Sequence, residues 1–362
     1  MGALLQEVCT RAEALHIPLS IHLDLTYRCN ERCVHCYLDH DDHGELSREE
    51  VFQLLDDLAE AGTLILTLSG GEPLLRPDFF AIAKRARSLR FSLKVKTNGI
   101  LIGPSQAALL RDYGVHQVQM SIYSHRAEVH DGITKIRGSL ARSVAAIRLL
   151  RAYGVNVAIA TPLMAQNFAD YPGVRALAAE MGVAVTIDPT ITPKIDGDTS
   201  ILRHRISTQD LQSVFRDSSL VGDVQNFSAC TPVDDDVLAS YPCSAGHTFC
   251  YISPYGDVFP CVQFPLPCGN IRRQSWRSIW VDSPELQRVR SIQLGDLPTC
   301  SSCVHASGCS RCPGLAYMEG NMYGPSSADC EKSLARTGVV PKAWQPNRSA
   351  DLIQISLENC GR

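Results

Sequence analysis

Apolar positions in the first half of the chain fall into short runs of two kinds. Ile21-His-Leu-Asp-Leu-Thr26 and Leu64-Ile-Leu-Thr-Leu68 read as strands, as do Phe91 to Lys96, His116 to Ile122, Val155 to Ala160 and Val183 to Ile187. Between them apolar residues recur at helical spacing: Asp78 to Leu89, Pro104 to Tyr113 opened by proline, Leu140 to Tyr153 with Gly154 as C-cap, and Tyr171 to Met181. Ser47-x-x-Glu50 is a capping box that starts a helix between the first two strands. Six β-then-α units in a row predict parallel strands, fewer than a closed barrel needs. The expected fold class is therefore α/β, a partial (β/α)6 barrel open on one side. Its site should lie in the loops after the strand C-termini.

Composition narrows the function class. The chain has 362 residues, 45% hydrophobic and 20% charged, with a formal net charge of −4. That suits a soluble globular enzyme, of two domains or of one large barrel with an appendage, and gives no basic surface for nucleic acid or anionic membrane. No run of about 18 apolar residues is present, and Met-Gly-Ala-Leu-Leu-Gln-Glu is not a signal peptide, so a cytoplasmic protein is expected. Fifteen cysteines are then metal ligands or catalytic thiols rather than disulfides. Three stand between 29 and 36, none follows until Cys230, and ten lie between 230 and 330. This implies a metal-bearing mouth on one domain and a cysteine-dense second domain.

The first group is Cys29-Asn-Glu-Arg-Cys33-Val-His-Cys36-Tyr37, straight after the first strand. A closed structural metal site needs four protein ligands, so three thiolates leave a position open for a small molecule. After the second strand comes Ser69-Gly70-Gly71-Glu72-Pro73, which in isolation is an ordinary turn. Together these stretches resemble the radical S-adenosylmethionine (SAM) enzymes. The resemblance implies that Cys29, Cys33 and Cys36 hold a [4Fe–4S] cluster whose fourth iron SAM chelates. It implies that Gly70, Gly71 and Glu72 receive the SAM amino group, that Asn98 and Ser121 touch its ribose or carboxylate, and that Tyr37 packs beside the cluster loop and the adenine. Many relatives carry His-Asp-x-x-Arg; His130-Asp131-Gly-Ile-Thr134 departs from it, leaving the carboxylate partner open.

The second group is Cys243-x12-Gly256-x4-Cys261, then Cys300-x2-Cys303-x5-Cys309-x2-Cys312 and, seventeen residues on, Cys330. Clustered thiolates in a reducing compartment mean zinc or iron–sulfur, and the central four make a closed zinc site by spacing alone. The run resembles the SPASM extension of radical SAM maturases, although relatives mostly place three residues between its last two central cysteines. The resemblance implies two auxiliary [4Fe–4S] clusters, one on Cys243, Cys250, Cys261 and Cys312, the other on Cys300, Cys303, Cys309 and Cys330. The expected organisation is an extension over 1–18, the barrel over 19–205, a linker over 206–240, the SPASM domain over 241–334 and a tail over 335–362. Of Cys9, Cys230, Cys268 and Cys360, Cys230 in the polar linker is a candidate hydrogen donor to a substrate radical, and the others read as small hydrophobes.

The expected function is that of a maturase that reductively cleaves SAM to a 5′-deoxyadenosyl radical. Ser121-Ile-Tyr-Ser124, Gly138-Ser139 and Thr161-Pro-Leu-Met164-Ala-Gln-Asn167 resemble the branch acting on ribosomally made peptides, by cross-link, thioether or epimerisation. Flavodoxin or ferredoxin would reduce it. A separate peptide-recognition protein would serve if the barrel edge does not read a leader. The alternatives are a tetrapyrrole or quinone precursor as substrate, or a non-catalytic multi-cluster electron carrier.

Overall fold

In the computed structural model, residues 3–222 and 233–342 are described. The chain forms two compact units: residues 1–205, 244–262 and 267–287 make the first, and 206–243, 263–266 and 288–362 the second.

The first unit holds one sheet. Its strands are β1 (Ser20–Thr26), β2 (Ile65–Gly70), β3 (Ser92–Thr97), β4 (Gln117–Ser121), β5 (Val157–Pro162), β6 (Ala184–Asp188), β7 (Phe249–Ile252), β8 (Asp257–Phe259) and β9 (Gly269–Asn270). Its helices include α1 (Ala3–Ala14), α2 (Arg48–Glu60), α3 (Phe79–Ser88), α4 (Pro104–Asp112), α5 (Ala127–Thr134), α6 (Ser139–Ala152) and α7 (Tyr171–Glu180). The sheet order is β6-β5-β4-β3-β2-β1-β7-β8-β9; every pairing from β6 across to β7 is parallel, and those of β7 with β8 and β8 with β9 are antiparallel. The six expected strands are all present, and the sheet does not close.

Register explains which face carries the core. Ile252, Leu23, Leu68, Val95, Val118 and Val157 form one row across the sheet, each at most 2% exposed. Side chains alternate along a strand, so this face packs on the helices, α6 lying on β4 and β5 and α7 on β6. The opposite face carries His22, Asp24, Thr67, Lys94, Lys96 and Gln119. A parallel sheet covered on both sides would be apolar on both; a polar second face means that it lines a wet interior.

The capping box forms as spaced: Ser47 Oγ accepts from Glu50 N at 3.1 Å and Glu50 Oε2 from Ser47 N at 2.7 Å. It starts α2, whose Val51, Leu54, Leu55 and Leu58 are buried at i, i+3, i+4 and i+7. The sequence pattern missed β7. Phe249–Ile252, inside the cysteine-dense segment, joins the first unit's sheet beside β1.

In the second unit, α8 (Thr208–Arg216) packs on the helix Ser327–Thr337, and Thr208 Oγ1 donates to Glu331 Oε1 at 2.6 Å.

Candidate functional site

The three-thiol loop leaves the C-terminal end of β1, and α5 fastens its backbone. Arg32 N donates to Thr134 O and Val34 N to Ile133 O, both at 3.0 Å, and Cys36 N donates to Cys33 O at 3.0 Å. Thr134, where many relatives have arginine, is fully buried with its hydroxyl 2.7 Å from Ser139 Oγ. Here it serves the loop's backbone.

Cys29, Cys33 and Cys36 lie close enough to feel one another's charge. Burial pushes Cys29 up to about 12 and raises Cys33 and Cys36 as well. Buried thiols that resist ionisation become thiolates when a metal takes the charge. A zinc ion at about 2.3 Å from each sulfur would need sulfurs about 3.8 Å apart. Among the described residues, only Asp39, Asp41 and His43, all exposed, bring three ligand atoms within 4.8 Å of one another. The wider spacing of the thiols fits a polynuclear iron–sulfur group, whose irons each take one cysteine.

The turn after β2 is locked to this loop. Gly71 N donates to Thr26 O at 2.8 Å and Glu72 N to Arg28 O at 2.9 Å. A Cβ on Gly70 would stand 2.1 Å from Thr26 O, and one on Gly71 2.4 Å from Arg28 O. Both glycines thus let β2 close on the root of the three-thiol loop. Glu72 is fully buried, and burial pushes its carboxyl up to about 7 against the bonds it accepts. Leu74 N and Thr97 Oγ1 donate to Oε1 at 3.0 and 2.8 Å, and Thr97 Oγ1 and Asn98 N to Oε2, both at 2.9 Å. The carboxylate ties the ends of β2 and β3 together.

Asn98 Nδ2 donates to Asn30 Oδ1 at 2.6 Å, inside the three-thiol loop, and Ser143 Oγ donates to the Asn98 carbonyl at 2.7 Å. Ser121 ends β4. The Tyr37 carbonyl accepts from Ile195 N at 3.2 Å, and burial beside Asp24 and Cys36 pushes its phenol up. Cys230 lies outside the described residues.

Sequence reasoning missed three features here. Tyr123, buried two residues past β4, brings its hydroxyl 3.6 Å from Cys33 Sγ, with the His35 ring edge-on at 4.9 Å. Glu31, 4% exposed, accepts from Cys33 Sγ at 3.5 Å, and burial pushes its carboxyl up to about 7. On the polar sheet face, Tyr27 OH donates to Tyr251 OH at 2.6 Å, Tyr251 OH to Asp24 Oδ2 at 2.9 Å, and His22 Nε2 lies 3.1 Å from Asp24 Oδ1. A carboxylate inside an apolar strand was the available signal for that network.

In the second unit, Cys300, Cys303, Cys309 and Cys330 line one cavity with His305 and Arg311. Burial raises Cys300 and Cys309 and pushes Cys330 up to about 12, and Ser333 Oγ donates to Cys309 Sγ at 3.5 Å. Cys312 caps the helix Pro313–Met318, its Sγ accepting from Leu315 N at 3.5 Å. Cys312 and Cys243 belong to the second unit, while Cys250 and Cys261 belong to the first. Cys250 pairs opposite Ile21 in β7 and is fully buried.

Comparison with known proteins now bears on this geometry. Residues 23–177 match the radical SAM superfamily, and residues 243–304 match the SPASM iron–sulfur cluster-binding domain. An AdoMet-dependent heme synthase of Methanosarcina barkeri is 30% identical over 84% of this chain and 94% of its own length. The mycofactocin maturase MftC of Mycobacterium ulcerans is 27% identical over 95% of this chain and 96% of its own. Among solved structures, Streptococcus suis SuiB bound to the precursor peptide SuiA superposes with a TM-score of 0.71 at 18% identity, over 90% of this chain and 80% of SuiB. That last likeness is one of fold.

Proposed function

The chain belongs to the radical SAM superfamily, with a SPASM iron–sulfur extension, and from that premise we propose that it modifies a ribosomally made peptide. Cys29, Cys33 and Cys36 would hold the catalytic cluster, and Gly70, Gly71, Glu72, Asn98, Ser121 and Tyr37 would seat SAM. We assign the barrel to 19–205 and the auxiliary-cluster segment to 241–334. Cys300, Cys303, Cys309 and Cys330 would hold one auxiliary cluster, and Cys243, Cys250, Cys261 and Cys312 the other. Once bound and reduced, the catalytic cluster and SAM would supply radical chemistry able to take hydrogen from an unactivated C–H bond.

The protein's own work is placement and exclusion. Glu72 and the Gly70-Gly71 backbone hold the SAM turn against the three-thiol loop, so cofactor atoms meet a fixed frame. Tyr123 and Met164, with Ile133, Ile191 and Ile201, form an apolar cluster against Cys33 that keeps water from it. The buried Asp24–Tyr251–Tyr27 chain holds the polar face of the sheet in one bonded network.

A peptide is the substrate favoured by one observation. The arc of strands ends at β6, whose side chains are exposed or half-exposed, leaving the barrel wall open to an extended chain. A tetrapyrrole-type small molecule is the second reading, favoured by 30% identity to a protein named a heme synthase. Flavodoxin or ferredoxin as reductant, a separate leader-reading protein and a cytoplasmic setting complete the proposal. Cys230 stays in it as a hydrogen donor.

The test is anaerobic incubation of reconstituted, reduced enzyme with SAM and either a short precursor peptide or a propionate-bearing tetrapyrrole. Peptide-dependent 5′-deoxyadenosine with a mass change in the peptide supports the first reading. Stimulation by the tetrapyrrole alone replaces it with the second.

A further inference from the structure

The cavity walled by Cys300, Cys303, Cys309 and Cys330 also presents a guanidinium. Arg311 stands in the two-residue spacer between Cys309 and Cys312 and is 4% exposed. Its Nε donates to Gly324 O at 3.1 Å, and its Nη2 donates to Gly324 O at 2.6 Å and to Met322 O. Those bonds fix the group's plane. Its Nη1 is buried and makes no hydrogen bond. The guanidinium lies beside the Cys300 thiol, where its charge opposes the upward push of burial. Asp329, buried in the same unit, is already engaged: Lys332 Nζ stands 2.8 Å from its Oδ1, and its Oδ2 accepts from Cys312 N at 2.8 Å.

A buried guanidinium answered by neutral carbonyls and the Cys300 thiol, with no anion against it, is costly, and the cost is removed when an anion enters beside it. Four thiolates on an oxidised [4Fe–4S] core make a dianion, and one-electron reduction adds a further negative charge. Net charge and hydrogen bonds to the sulfurs are what set the potential of such a cluster. We propose that Arg311 is the buried counter-charge of the auxiliary cluster on Cys300, Cys303, Cys309 and Cys330, supplying an N–H from Nη1 and raising that cluster's reduction potential. The proposal rests on the ligand set proposed above. It gives the short Cys309–Cys312 spacer a use, since Arg311 enters the cavity wall directly from it. It also makes this cluster the easier one to reduce, hence a resting place for an electron returned from substrate.

The full-length protein is reconstituted anaerobically and its iron and zinc counted. It is then titrated with redox mediators under EPR detection, beside Arg311→Gln and Arg311→Lys. The signal lost in Cys330→Ala identifies the cluster. Arg311→Gln is expected to keep its iron while that signal's reduction equilibrium falls at least tenfold, ~59 mV for one electron. Arg311→Lys is expected to shift it by less than half as much. Full iron with an unmoved midpoint in Arg311→Gln overturns the proposal. If Arg311→Gln loses iron, Arg311→Lys decides. Iron kept at the wild-type midpoint supports a charge effect, and iron lost there too overturns it in favour of a clamp on the Met322 and Gly324 carbonyls. Zinc in place of iron in the wild type refutes the ligand set itself, and the proposal with it.

Discussion

Replacing Gly71 by alanine tests how tightly the turn after β2 must seat on the three-thiol loop. The added Cβ would meet Arg28 O at 2.4 Å and Tyr27 O at 2.5 Å, both backbone atoms that cannot swing aside. Ordinary contact begins near 3.4 Å, so the turn must retreat by about 1 Å. Retreat on that scale strains or breaks Gly71 N→Thr26 O and Glu72 N→Arg28 O. At about 1 kcal/mol for each bond, plus about 1–3 kcal/mol for the forced shift, the expected loss is about 3–5 kcal/mol. The same displacement moves Glu72 and the Cys29 loop apart. A misplacement of about 1 Å costs on the order of 100-fold in rate. Gly132→Ala is the control: it lies within α5, a Cβ there meets nothing within 4 Å, and it should stabilise by up to about 1 kcal/mol. Denaturant midpoints of both variants and 5′-deoxyadenosine formation after iron loading are the readouts. A Gly71→Ala protein with the wild-type midpoint and rate would refute the reasoning.

Other outcomes follow from single features. Changing Cys29, Cys33 and Cys36 together to alanine should remove about four irons per chain and abolish 5′-deoxyadenosine while the auxiliary clusters remain, as read by iron content and chromatography. Glu72→Gln turns one acceptor into a donor facing N–H and O–H donors, so it should destabilise by about 1–3 kcal/mol and weaken SAM binding measured by calorimetry. His130, 1% exposed, accepts from Tyr123 N at 3.1 Å through Nδ1, and burial pushes its pKa from 6.5 down to about 4. The unfolded chain therefore binds the proton first, so stability is full above pH 6.5 and falls as pH drops toward 4. Relative to His130→Asn, the wild type should lose about 1.2 kcal/mol between pH 7 and pH 5.5 in denaturant titrations; parallel curves would rule this out.

The sequence made the local periodicities legible and left the long-range contacts hidden. Strands β1 to β6 announced themselves because each carries an apolar row at period two, and α2 because Ser47 and Glu50 cap it. Helix α5 escaped notice because Ala127–Thr134 is short and carries Gly132 and charged residues among its apolar ones. Strand β7 escaped because Cys250 within it reads as a ligand, while its partner β1 is more than two hundred residues away. The Gly70-Gly71-Glu72 turn was visible as chemistry, but not what it touches. Thr97 and Asn98 reach Glu72 from the next strand, and no local pattern encodes that meeting. Arg311 was visible only as a residue in a short spacer. The role proposed for it rests on the cavity that puts it beside four thiols.

The place of β1 in the sheet has a consequence for how the enzyme is made. β1 carries the three-thiol loop, yet one of its two neighbours is β7, and the Tyr27–Tyr251 bond joins residues 224 positions apart. Pairings so distant in sequence are slow to form and close late. At ribosomal rates of roughly 5–20 residues per second, β7 emerges on the order of 10–45 s after β1. The nascent chain thus spends that interval with its cluster loop rooted on a half-paired strand and its cysteines within reach of solvent and stray metal. Iron delivery to the proposed ligands Cys29, Cys33 and Cys36 is therefore best timed after about two-thirds of the chain has been synthesised, and a scaffold that loads the nascent chain earlier would be loading an unfinished cradle.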